Sequence, residues 1–301
     1  MAARASTAPL SPADTRPLAG ILLMLAAMSL VPLMDGVAKF LSGHYPVLQV
    51  VWARYAFHFL LLLPLVLWRH GPVGLHSRRP GLQLLRGLCL LGSTVLFFAA
   101  ISRMPIADAL SLVFVAPLVV TAASPWVLGE TVGVRRWSAV IVGFMGALII
   151  IRPGFASVET GTLLALGAGL VYACYVLVTR RLSGSDAPLT TLLYTGGVGA
   201  LLTSLILPGV WTPPTLTHLG LMAAMGALAI SGHFLIIRAL DQAPASLLSP
   251  YSYSEIVMAT VVGYVLFGDF PDAWTWAGIA VVVGSGVYIA VRERQLTGSV
   301  A

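Results

Sequence analysis

Polar positions are rare along this chain, and the apolar ones run on in stretches of membrane length broken by short polar gaps. A spanning helix needs about 20 mostly apolar residues. Ten segments meet that requirement, at 17–41, 46–68, 81–101, 106–128, 134–151, 160–181, 188–207, 214–240, 244–267 and 272–291. The longest gaps, Arg69–Pro80 and Pro208–Thr217, are too small to hold a catalytic domain. The pattern predicts an all-α integral membrane protein with ten transmembrane helices. Residues 1–16, rich in Ala, Ser and Pro, read as a disordered N-terminus. The first apolar run lacks a small-residue cleavage site and reads as a retained helix.

The pattern also repeats, and repeats decide architecture. Ala100, Pro105, Thr121, Gly129 and Trp137 return 139 residues later as Ala239, Pro244, Thr260, Gly268 and Trp276, with Glu130 answered by Asp269. Earlier helices echo at a spacing of 141: Gly20 as Gly161, Lys39 as Arg180, Leu41-Ser42-Gly43 as Leu182-Ser183-Gly184. The repeats are 17–152 (helices one to five) and 160–292 (helices six to ten), followed by a short tail, 293–301. Five helices is an odd number, so the second copy must cross the membrane inverted. Secondary transporters use this plan and hold substrate near the midplane between the halves.

Composition confirms the solvent. The chain is 58% hydrophobic and 9% charged, against about 25% charged in soluble proteins. Its net charge of +6 reads as topology, because the arginines cluster in alternate loops. The positive-inside tendency then places both termini in the cytoplasm. No basic run interleaved with aromatics suggests nucleic acid. No HExxH, GxSxG or Gly-rich phosphate loop suggests an enzyme. Cys89 and Cys174 lie in apolar spans and read as packing residues, and no ligand spacing suggests a metal or cofactor.

Several motifs resemble those of the drug/metabolite transporter superfamily, specifically its EamA-type ten-helix exporters. In the first half these are Ala100-Ile101, Pro105, Pro117, Gly129-Glu130, Gly143 and Gly146. In the second they are Ala239-Leu240, Pro244-Ala245, Glu255, Gly268-Asp269, Gly284 and Gly286, and Trp52-Ala53-Arg54 on the second helix also fits. The resemblance covers about residues 17–292. It implies a secondary transporter that exports small polar metabolites, amino acids including aromatic ones, across the bacterial inner membrane by alternating access. Another metabolite, a drug-like cation, or a channel-like pore are the alternatives. The partners implied are a small-molecule substrate and the bilayer. Proton coupling, and a monomer or a homodimer, stay open. The second half departs in having Ile256 at the position of Pro117, with Pro250 earlier, so its ninth helix is expected to bend at a different height.

Ionisable residues inside a bilayer are costly and point to function by default. At about 1.5 Å per residue, Glu255 and His58 fall near the midplane, His233 roughly 5–8 Å to the cytoplasmic side, and Arg54 and Asp35 about 5 and 9 Å to the other. Glu255 follows the polar run Ser249 to Ser254 and shares a face with Tyr251 and Ser252. It can bind a substrate ammonium, or stand neutral and hydrogen-bonded between helices. Asp35 can pair with Lys39 one turn on or with Arg54 on the next helix, and these three with His58 are gate or ion-pair candidates. His58 and His233 can shuttle protons or act as interhelical glue. Cavity candidates are Glu255, Tyr253, Ser252, His233, Tyr172, Tyr175, Phe97 and Phe114, the aromatics either stacking on substrate or simply packing. Pro32, Pro117 and Pro250 are hinge candidates. The expected cavity is walled by helices one, three, four, six, eight and nine.

Overall fold

A computed structural model describes residues 17–129, 132–151, 159–182, 185–243 and 245–298. The expected N-terminal segment 1–16 lies outside them. Among the described residues every element is helical: α1 (Pro17–Ser42), α2 (Val47–His70), α3 (Pro80–Ile101), α4 (Ile106–Val113), α5 (Ala116–Val127), α6 (Val134–Ile151), α7 (Thr160–Leu182), α8 (Pro188–Ile206), α9 (Leu216–Gln242), α10 (Ala245–Ser252), α11 (Ser254–Phe267) and α12 (Ala273–Gly298). Seven segments are long and apolar enough to cross a membrane, α4 and α5 counting together, and three more apolar helices are shorter. With α10 and α11 taken as one span, these are the ten expected crossings. The last helix runs to Gly298, beyond the expected end at 291.

Local chemistry sets the helix ends. Pro80 and Pro188 open α3 and α8, where a missing N–H costs nothing. Thr215 caps α9 by accepting from His218 N at 3.2 Å. Gly129 and Gly268, repeat counterparts beyond α5 and α11, both take positive φ, 71° and 74°, which a side chain would strain.

The face from which α1 starts is face I and the opposite one is face II. Successive crossings alternate, so α1 leaves face I and its counterpart α7 leaves face II. The repeats are therefore inverted, and the packing obeys the resulting pseudo-twofold: α1 runs along α9 as α7 runs along α3, α2 meets α9 as α8 meets α3, and α6 meets its own counterpart α12.

The symmetry reaches single residues. Gly87 of α3 faces Val198 of α8, and Gly226 of α9 faces Phe57 of α2. Gly226 is 139 beyond Gly87, and Val198 is 141 beyond Phe57. Likewise Gly20 abuts Ala243, and its counterpart Gly161 abuts Met104. Small residues let backbones approach where lipid supplies no hydrophobic drive.

Two crossings are interrupted. The fourth breaks at Phe114-Val115, between α4 and α5, and the ninth at Tyr253, between α10 and α11. Tyr253 is the 139-residue counterpart of Phe114, so both breaks stand at one height. This corrects the expectation that the ninth helix bends elsewhere. Pro117 lies three residues after one break and Pro250 three before the other, so backbone symmetry, not proline position, sets the height. Pro32 sits inside an unbroken α1. Hydroxyls bond to backbone carbonyls near the breaks, Ser111 Oγ donating to Ala107 O (2.6 Å) and Ser254 Oγ to Tyr251 O (2.7 Å).

Candidate functional site

A cavity of about 350 Å³ lies where the interrupted helices meet, at the lower end of the range for small-molecule sites. Its wall contains counterpart pairs: Val31 with Tyr172, Thr94 with His233, Phe97 with Ile236, Val113 with Ser252, Ala116 with Glu255. The cavity therefore straddles the pseudo-twofold axis. Helices one, three, four, six, eight and nine contribute as expected, and helix two joins them through Arg54.

The charged groups break this symmetry. Asp35 on α1, Arg54 on α2, His233 on α9 and Glu255 on α11 all line the cavity. Their counterparts are Val176, Thr195, Thr94 and Ala116. Asp35 and Arg54 are 2% and 8% exposed, and among the described residues no ion pair joins them. The Arg54 guanidinium instead donates to Thr94 Oγ1 and lies over the Tyr55 ring at 5.1 Å and the Phe98 ring at 5.8 Å. Thr94 and Tyr55 are themselves hydrogen-bonded at 2.8 Å. The expected Asp35–Lys39 pair does not form either. Lys39 pairs with Asp269 at 2.5 Å, donates to Met104 O at 3.0 Å and lies over the Phe267 ring, all toward face II.

His233 Nδ1 donates to Ala229 O at 2.8 Å, which leaves Nε2 for the cavity. Phe97 and Phe114 form apolar wall, joined by Phe98 and by Met24, Met28 and Met34 of α1. Ser252 and Tyr172 also line it.

Lys39 and Pro32 are not among the lining residues, and neither are three further candidates, Tyr253, Tyr175 and His58; the Pro250 side chain lies outside those described. Tyr253 packs on Phe114, ring centroids 5.0 Å apart, against Gly286 of α12, where a Cβ would collide with the tyrosine hydroxyl. Tyr175 sits behind Tyr172, stacked at 5.3 Å. His58 is buried with its ring 6.3 Å from that of His233, and its Nε2 has no hydrogen-bond partner.

One residue escaped sequence reading as a buried group. Arg86, not singled out there, lies about 9 Å inside α3 at the helical rise and is 4% exposed. Its signal was the four-residue row Arg86, Leu90, Thr94, which places it on the cavity-facing side of α3.

Comparison with known proteins settles what this architecture serves. The EamA-like transporter family matches residues 18–152 and again 159–291. The chain belongs to the EamA-like transporter family. It is 26% identical to the S-adenosylmethionine uptake transporter of Rickettsia bellii over 87% of this chain and 89% of that one. Identity to the riboflavin transporter of Vibrio cholerae is 30%, covering 93% and 95%. Identity to the pseudopaline exporter of Pseudomonas aeruginosa is 27%, covering 91% and 97%. A protein of known crystal structure shares the fold over 91% of this chain and 98% of its own, with a TM-score of 0.61 at 21% identity. This family member is a membrane transporter of a small metabolite and not an enzyme. The relatives' names do not single out amino acids.

Proposed function

We propose that the protein carries a small zwitterion with an amino-acid head and a planar ring, by alternating access. The observation that carries this reading is one cavity holding two carboxyl groups and a guanidinium, with no ion pair between Asp35 and Arg54 and with aromatic walls. Asp35 and Glu255 receive the ammonium, Arg54 receives the carboxylate, and Phe97, Phe114 and Tyr172 hold the ring. A buried charge left without a counter-ion is expensive, so a substrate bringing both charges completes the site. Aromatic amino acids fit this description, and S-adenosylmethionine shares its amino-acid head and planar ring, the two joined through a sulfonium and a ribose.

Face I is the cytoplasmic side in this reading, because Arg69, Arg78, Arg79, Arg135, Arg180, Arg181 and Arg238 gather there and Arg103 stands at face II. The setting is a bacterial inner membrane, with both termini inside. Gradients set direction, outward for a metabolite the cell accumulates.

The test is counterflow in proteoliposomes, with phenylalanine, tyrosine, tryptophan, S-adenosylmethionine and riboflavin offered in turn. Saturable counterflow of a compound with an amino-acid head supports the reading. Flux that never saturates and shows no counterflow would instead make the protein a pore. Saturable transport confined to riboflavin would remove the zwitterion.

A further inference from the structure

Between the cavity and face I, a seam of α3, α7 and α8 holds polar side chains that the central site does not use. Arg86 is its centre. Its Nε donates to Thr179 Oγ1 at 2.9 Å, Nη1 to Thr195 Oγ1 and to Thr191 O, and Nη2 to Tyr175 OH at 2.6 Å. The Tyr175 ring lies 4.6 Å from the guanidinium. One turn closer to face I, Gln83 donates from Nε2 to Thr191 Oγ1 at 3.0 Å and to Asp186 Oδ2 at 2.8 Å. Asp186 accepts in turn from Ser77 Oγ and Arg78 N. These acceptors fix the orientation of the amide, and Gln83 Oε1, fully buried, is left with no partner.

No carboxylate touches the Arg86 guanidinium among these contacts; hydroxyls and one carbonyl satisfy it. The pseudo-twofold shows that the fold does not need this arrangement. The counterparts of Gln83, Arg86, Tyr175, Thr179 and Thr191 are Met222, Met225, Met34, Ala38 and Val50. They pack in a buried apolar cluster near face II. At these five positions the same backbone junction is thus closed elsewhere by ordinary core residues, and of the Arg86 partners only Thr195 is answered by a charged residue, Arg54. At one end of the cavity the junction carries a positive charge and an orphan acceptor instead, and the Tyr172–Tyr175 stack connects that charge to the cavity wall.

We propose that this seam is a second, transient substrate station on the leg between the cavity and face I. Arg86 takes the carboxylate, or an equivalent anionic group, and Gln83 Oε1 takes N–H donors as α3, α7 and α8 part. Opening a seam of hydroxyls, amide and guanidinium exposes groups that water satisfies. Opening its methionine counterpart exposes apolar surface, which water disfavours. The anionic part of the assignment rests on the zwitterion reading above; the aqueous opening of the seam does not.

The test uses the full chain in proteoliposomes with Cys89 and Cys174 replaced by Ala and one new thiol, Thr179→Cys or, as an independent second position, Thr195→Cys. The probes are an anionic and a cationic methanethiosulfonate, bearing sulfonate and trimethylammonium respectively. The expected result is modification from the face I side, about tenfold faster for the sulfonate reagent, as focusing by a local positive field predicts. Arg86→Met, the residue its counterpart uses, should erase that preference, while Ala38→Cys in the mate seam stays unmodified from face I. Protection of both thiols from both sides, or equal rates for the two reagents with Arg86 intact, would overturn the station. Failure of the transport panel with this labelling pattern intact would reject the zwitterion substrate and leave an anion-selective aqueous leg.

Discussion

Where α1, α2 and α9 meet near face II, Met34, Ala38, Val50, Met222 and Met225 pack without polar contact. Where α7, α8 and α3 meet near face I, their counterparts Tyr175, Thr179, Thr191, Gln83 and Arg86 form a hydrogen-bonded network. At the cavity the contrast reverses: α1, α2, α9 and α11 line it with Asp35, Arg54, His233 and Glu255, whose counterpart positions hold Val176, Thr195, Thr94 and Ala116. Gene duplication supplied one packing scheme twice, held by close approaches such as Gly87 to Val198 and Gly226 to Phe57. Because those approaches carry the packing, side chains at other counterpart positions were free to diverge. The chemistry lies in the divergence.

The comparison can be broken at its charged side first. Glu255→Gln and Asp35→Asn should each lower counterflow of an amino-acid substrate by about 10- to 100-fold, since a charge-assisted contact is worth about 1.5–3 kcal/mol and about 1.4 kcal/mol is tenfold. Val176→Thr, at the counterpart of Asp35 and outside the cavity lining, should stay within about twofold by the usual size of such changes. An equal loss at Val176 would dissolve the asymmetry. Arg54→Met should follow at about tenfold for the full zwitterion. It should have little effect on the corresponding amine without its carboxylate, which binding assays on both compounds would separate.

The symmetric side is tested by stability. Gly226→Ala would press a Cβ to 2.5 Å from Phe57 Cβ and 3.0 Å from His58 N, which is backbone. For Gly87→Ala the three nearest atoms all belong to the Val198 side chain, at 2.9–3.0 Å. Overpacking costs about 1–3 kcal/mol, so Gly226→Ala should fall near the top of that range and Gly87→Ala near the bottom, read as thermal unfolding in detergent. Equal costs would mean that the two junctions yield alike.

The smallest effect concerns Asp186, outside the membrane spans. Partial burial raises its carboxyl, but hydrogen bonds from Ser77, Arg78 N and Gln83 and the Arg78 charge outweigh that and hold it below the ordinary carboxylate value. A depressed pKa contributes stability above the unfolded value of about 4, lost as pH falls through the folded value. The stability difference between wild type and Asp186→Asn should be constant near neutral pH and shrink only below about pH 4. A difference that instead grew on acidification would contradict this ion's role in closing the seam.

The crossings and the duplication were legible because membrane length and counterpart spacing are one-dimensional signals. The partners of charged residues were not. Lys39 has Asp35 one turn away, yet it pairs with Asp269, 230 residues distant, because helix nine brings that carboxylate to the end of α1. Break height was misread from prolines, whose offsets from the break differ in the two copies while the backbone break does not. Arg86 was not singled out since it stands near a helix start; only packing reveals that three helices enclose it. His58 was read near the midplane and Tyr253 as a cavity candidate, but depth and residue type alone cannot distinguish a wall residue from one directly behind it.

The most direct test of the one-sided charge arrangement is counterflow of tryptophan and S-adenosylmethionine beside tryptamine and indole-3-propionate, in wild-type proteoliposomes and in Glu255→Gln. The account predicts saturable counterflow of at least one of the two amino-acid compounds, little of the isolated amine or acid, and loss of that counterflow in the variant. Equal transport of the amine and acid halves, or a variant indistinguishable from wild type, would contradict it.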